Sequence, residues 1–118
     1  MSFSGTWLPS AARTTTQTSP DLPSMGCEYL DVILDTTVFG SGSVTVTING
    51  KDPASGKYYL ILSGAAVVSV VTNVYHIGPS LTASANVTAN GSIPEFFQIV
   101  CTANNANTQT YSAGYNLF

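Results

Sequence analysis

Charge is what this chain has least of. Its 118 residues include three basic and six acidic side chains, so only 8% of the sequence is charged. A soluble monomer of this size carries about a quarter of its residues as charge, mostly on its surface. Here Ser, Thr and Asn must supply the polar surface. They hydrogen-bond, but they do not repel neighbouring copies. Such a surface suits a chain that works inside an assembly, where every charge would have to be desolvated, and it points to a structural role.

Other scarcities exclude whole classes of function. Arg13, Lys51 and Lys57 are the only basic residues and the net charge is −3. They cannot form the Lys/Arg patch that displaces phosphate counterions on nucleic acid, nor a polybasic membrane anchor. No run approaches the ~20 apolar residues that span a bilayer; the best, Ala65 to Val71, is short and holds Ser69. Residues 1–10 lack the basic n-region and apolar h-region of a signal peptide. The expectation is a protein that stays in the cytoplasm where it is made, or leaves as part of a particle. Cys27 and Cys101 are the only thiols. Two cysteines are no disulfide framework, and in a reducing compartment they read as small, partly buried apolar side chains. Asn86-Val-Thr and Asn90-Gly-Ser match the glycosylation pattern, which an Asn/Thr-rich chain produces by chance.

What is present is mostly β-pattern. The length fits one domain of roughly 100 residues plus a tail, and a 44% hydrophobic content supplies one core. Residues 1–26 stand apart: Pro9, Pro20 and Pro23, a run of Thr14 to Thr16, and no hydrophobic periodicity. Proline blocks helix and interrupts a ladder, so this segment reads as an extended arm. It carries Phe3, Trp7 and Leu8, which fit an arm that docks on a neighbour, because tryptophan offers large apolar area with few rotors to freeze.

Residues 27–118 form the expected body. Leu30, Val32 and Leu34 alternate with Asp31, Ile33 and Asp35; Val44, Val46 and Ile48 alternate with threonines and Asn49. Both are half-buried strands. Asn49 to Gly56 is dense in turn residues and reads as a hairpin loop, with Gly50 and Gly56 supplying positive φ. Tyr58 to Leu62 follows as its second strand. Ala65 to Val71 and Thr72 to Ile77 read as a strand pair or one bent strand, and Leu81 to Asn90 as a loop or one helical turn. Phe97, Ile99 and Cys101 share one face of a strand that is apolar on both faces, which fits a central or partner-covered position. Thr108 to Phe118 gives the last strand. Six or seven short strands imply an all-β fold, an antiparallel β-sandwich or barrel with an extended N-terminal arm.

Chemistry is thinly marked. His76 is the only histidine; it precedes Gly78-Pro79 on an apolar strand, with no nucleophile elbow, and reads as a structural or surface residue. Pairing with Cys27 or Cys101 has no support from spacing. No paired ligands of zinc type exist, and Asp31 with Asp35 reads as a solvated strand face rather than a calcium site. Gly40-Ser-Gly42 is a turn without the lysine of a phosphate loop. Glu28 and Glu95, the only glutamates, carry no mark of a glycosidase pair. We therefore expect no catalytic residues, no metal site and no cofactor. A carbohydrate-binding module is the small-ligand rival, with Tyr58, Tyr59, Tyr75, Tyr111 and Tyr115 available to it; the same tyrosines suit sheet faces with their hydroxyls at the rim.

Several segments carry a resemblance. Arg13-Thr-Thr-Thr-Gln-Thr-Ser-Pro20 is similar to an arm motif, and Ser43 to Tyr59, with Gly50-Lys-Asp-Pro-Ala-Ser-Gly-Lys-Tyr58 at its heart, is the most specific piece. Ile77-Gly-Pro-Ser-Leu-Thr-Ala-Ser-Ala-Asn86, Ile93-Pro94 and Thr110-Tyr-Ser112 follow in order. Together they resemble a family of small proteins encoded among the structural genes of tailed bacteriophages, closest to capsid decoration, or cement, proteins. The chain departs from the pattern after Pro94, where Glu95-Phe-Phe-Gln98 replaces an expected basic residue and aromatic–Arg pair. The resemblance implies a protein on the outer surface of the capsid that binds across major capsid protein subunits, as a homotrimer. Phe3, Trp7 and Leu8 would reach a neighbouring subunit, with Arg13 as the lone ionic anchor. Its rivals are another virion part, a head–tail connector or tail protein, and a sugar-binding module used in adsorption.

Overall fold

The computed structural model describes residues 2–118; Met1, the first residue of the expected arm, lies outside them. Ten strands are present: β1 (Phe3–Arg13), β2 (Gln17–Thr18), β3 (Leu22–Pro23), β4 (Leu30–Phe39), β5 (Val44–Lys51), β6 (Tyr58–Ser63), β7 (Thr72–Gly78), β8 (Thr88–Asn90), β9 (Phe96–Ala103) and β10 (Gln109–Leu117). They form two sheets, ordered β1-β10-β4-β7-β8 and β2-β9-β5-β6, with β3 also on β9. The fold is all-β and sandwich-like. All pairings among these strands are antiparallel except β7 with β8, which is parallel.

The core is where alternation places it. Leu30, Val32 and Leu34 on β4 face Val46, Ile48, Phe97, Ile99 and Cys101 on the other sheet, and all are at most 1% exposed. β9 is central, lying between β5 on one side and β2 and β3 on the other. That accounts for its apolar inner face, while its outer face leaves Phe96 exposed.

The N-terminal segment is extended, as proline-rich sequence favours, but it is part of the body rather than a separate arm. β1 pairs with β10 from Phe3 opposite Leu117 to Arg13 opposite Gln109. Residues 17–18 and 22–23 pair with β9. The physical reason is an edge: without β1, the β10 ladder would present a row of unpaired backbone groups. Pro9 removes a donor, and the register slips between Leu8 and Ala11.

Three further expectations change. Gly50 does not take positive φ; it sits within β5, and Gly56 alone turns the loop, at φ +72°. Residues 65–71 make no strand, only a bridge from Val67 to Val44. The 81–90 stretch is a loop that ends in the short β8.

Candidate functional site

Two surface features stand out, a groove at the tip of the β5–β6 hairpin and an edge without charge. The groove, of about 1110 Å³, is lined by Asp21, Lys51, Tyr58, Tyr59, Pro94 and Phe96, and walled by the 52–57 loop. Pairing of Phe97 with Gly50 brings Phe96 alongside Lys51, and Lys51 pairs directly with Tyr58. Tyr58 and Phe96 thus stand on the strands either side of Lys51. Lys51 Nζ lies 5.8 Å from the centre of the Tyr58 ring. It donates to Asp21 Oδ2 at 2.6 Å, and the Tyr58 hydroxyl donates to the other carboxylate oxygen at 2.5 Å. These bonds from Lys51 and Tyr58 hold the Asp21 carboxyl below the usual range. Asp21 in turn raises the Lys51 ammonium and the Tyr58 hydroxyl.

The loop wall is pre-shaped. Asp52 Oδ1 accepts from the Ala54 N–H and Oδ2 from the Ser55 hydroxyl, while the Ser55 hydroxyl accepts from the Lys57 N–H. The backbone closes the turn through Asp52 N–H to Lys57 and Gly56 N–H to Asp52. The Tyr59 ring lies over Gly50 and beside Pro94, at the end of the groove. Of the five tyrosines available to a sugar, only Tyr58 and Tyr59 remain exposed. Tyr75 and Tyr111 are buried in the core and Tyr115 is half-buried, edge-on to Phe97 at 5.8 Å.

The edge adjoins the groove and shares Tyr58 and Tyr59, the first residues of β6, with it. Between Lys57 and Glu95 the sequence holds no Asp, Glu, Lys or Arg. That stretch builds β6, at the edge of one sheet, and β7 and β8, at the edge of the other. Of twelve exposed large hydrophobic side chains among the described residues, eight come from residues 58–87. Leu60, Val68 and Val70 are each 62% exposed. Neither charge nor proline guards β6, the usual devices that keep an open strand from pairing with another chain.

The residues expected to bind a partner sit against the chain's own body. Phe3, Trp7 and Leu8 are partly buried on the core. Arg13 bonds the carbonyls of Tyr111 at 2.5 Å, Pro9 at 2.6 Å and Ala11 at 3.1 Å, and its guanidinium stacks 5.0 Å from the Tyr111 ring centre. It thus ties the irregular stretch of β1, at Pro9 and Ala11, to Tyr111 of β10.

His76 is on the outer face of β7, directly opposite Asp31, with Nδ1 2.6 Å from Oδ1. Asp35 accepts from the Thr72 hydroxyl at 2.8 Å. The two aspartates are thus engaged separately, and no group of three or more His, Cys, Asp or Glu among the described residues is placed to hold a metal. Cys101 is fully buried, and burial pushes its thiol up to about 12. Glu95 lines the groove, whereas Glu28 lies beside Phe118.

No family model matches the chain, and no curated protein matches it. Among solved structures it is similar to the SPBc2 prophage-derived protein YomS, at 12% identity and a TM-score of 0.57, over 100% of this chain and 94% of that one. A carbohydrate-binding module specific for non-crystalline cellulose, CBM28, aligns at 12% identity and a TM-score of 0.40, over 94% of this chain and 69% of that one. The first likeness concerns the fold alone.

Proposed function

We propose that this chain is a structural protein of a tailed-phage virion, a decoration protein that sits on the outer surface of the head and binds across major capsid protein subunits. The observation that carries it is the charge-free edge formed by residues 58–94. An exposed strand flanked by Leu60, Val68 and Val70 is costly in water and productive under a neighbouring subunit, where each Å² of apolar surface covered contributes roughly 25 cal/mol. The stretch itself brings no Asp, Glu, Lys or Arg that would have to be desolvated. The sequence resemblance to small phage structural proteins supports the same conclusion, and so does a fold shared with a prophage-derived protein.

The contact differs from the one the sequence suggested. Phe3, Trp7 and Leu8 are spent on the chain's own core, so the β6–β8 edge takes over the role of anchor. Three copies around a local three-fold position would each offer that edge to a neighbour. The test is quantitative mass spectrometry of purified virions, with heat release of DNA from a deletion phage. The expected result is a copy number comparable to the major capsid protein and earlier DNA release without it. A handful of copies per particle would move the protein to the tail or connector, and unchanged heat stability would end the cement reading.

A further inference from the structure

We infer that the groove at the β5–β6 tip binds a neutral pyranoside chain, with Tyr58 and Phe96 as stacking surfaces and the Asp21–Lys51 pair as the hydroxyl reader. The inference stands apart from the particle reading, since the isolated protein answers it.

The composition of the groove selects the ligand. Its ionisable side chains are Asp21, Asp52 and Glu95 against Lys51 and Lys57. Opposite signs nearly balance, and the pair at the centre is mutually neutralised at 2.6 Å. A polyanion or polycation gains nothing there. A pyranose with equatorial hydroxyls matches it on both counts. Its axial C–H bonds make an apolar face that lies on an aromatic ring, and its neighbouring hydroxyls each donate and accept.

The pair has capacity left for that. A carboxylate has about four lone-pair sites and an ammonium three N–H donors. Asp21 uses one oxygen for Lys51 and one for Tyr58, and Lys51 uses one N–H. One hydroxyl can therefore donate to Asp21 while its neighbour accepts from Lys51. The rings are presented outward, with Tyr58 44% and Phe96 40% exposed. Tyr59 adds a third aromatic surface at the end of the groove, set by Gly50 and Pro94. The bonds that fix Asp21, Tyr58 and the 52–57 loop exist before any ligand arrives, which lowers the ordering cost of binding.

The test is affinity electrophoresis of the purified protein through gels containing hydroxyethylcellulose, xylan, galactomannan or dextran, backed by a glycan array. Retardation by at least one neutral polymer is expected. Phe96→Ala and Lys51→Met should each weaken it roughly tenfold, as loss of a central contact does. Val38→Ala, on β4 away from the groove, should leave it unchanged, and circular dichroism confirms that each variant folds. Three results overturn the inference: no retardation in any polymer and no array signal, retardation indifferent to both groove variants, or binding confined to an acidic polymer such as polygalacturonate.

Discussion

Tyr59 lies across Gly50. The two stand directly opposite on β6 and β5, and a Cβ on Gly50 would meet the ring Cζ at 2.5 Å. Gly5 and Tyr115 repeat the relation between β1 and β10, where the corresponding distance is 2.4 Å. In each case the ring covers backbone that glycine leaves bare, a device that pins strand register.

Gly50→Ala should therefore destabilise the fold by about 1–3 kcal/mol, the usual cost of forcing extra atoms into a filled site. In a Tyr59→Ala background part of that penalty should vanish, because the methyl strikes the Tyr59 ring at 2.5 Å and Pro94 Cγ at 2.9 Å. Urea unfolding of the four proteins of the cycle measures the coupling. Equal penalties in both backgrounds would show that Pro94, not the Tyr59 ring, resists the methyl.

Arg13→Ala should cost about 1.5–3 kcal/mol, the range for hydrogen bonds made by a charged group. The effect should be local: amide exchange should quicken along β1 and the facing part of β10, and stay unchanged in β5 and β9. Arg13→Lys should recover only part, since one ammonium cannot span three carbonyls as the planar fork does.

Cys101 should be inert in the native state. Its thiol is pushed up to about 12 by burial, so thiolate is scarce and reagent has no access. In a Cys27→Ser background, labelling by a thiol reagent at mild alkaline pH should track global unfolding. Rapid stoichiometric labelling of folded protein would contradict the packing.

Stability should be flat near neutrality and fall on both sides. Asp21, held low by Lys51 and Tyr58, and Asp52, held low by Ser55 and Ala54, favour the fold above their unfolded value. That contribution goes as pH drops below about 4. Cys101 and Tyr111 are raised by burial, each to about 12, and Lys51 is raised by Asp21. Their contribution is complete below the unfolded values and is lost as pH climbs from about 8.5 toward 12. Asp21→Asn should flatten part of the acid limb, readable in thermal melts from pH 2 to about 6.

Leu60→Lys and Val70→Lys should leave the monomer's melting temperature nearly unchanged, because both side chains are exposed. Each should lower self-association in sedimentation and weaken attachment to heads lacking the protein. Undiminished attachment by the double variant would place the contact elsewhere.

Much of this fold was legible. Period-two alternation located Leu30, Val32 and Leu34, and Val44, Val46 and Ile48, in the core, because one face of a strand must be dry. What escaped depended on partners distant in sequence. Nothing local in Phe3 to Arg13 says that β10 offers a free ladder more than ninety residues later. The same holds for Gly50, whose neighbour across the sheet, not its own dihedral preference, sets its role. Val68 and Val70 read as strand from composition, yet only Val67 finds a bridge. The groove is half visible in the sequence: Tyr58 and Tyr59 stand together there, but Asp21 joins them only because β3 folds onto β9. The uncharged edge does have a local signal, the stretch without Asp, Glu, Lys or Arg between Lys57 and Glu95.

The partnership of Phe3 with Leu117 has a practical consequence. The start of the first strand and the finish of the last meet at one corner. Joining Leu117 to Phe3 through a short linker and reopening the chain at Gly40-Ser-Gly42 should give a circular permutant with both sheets intact.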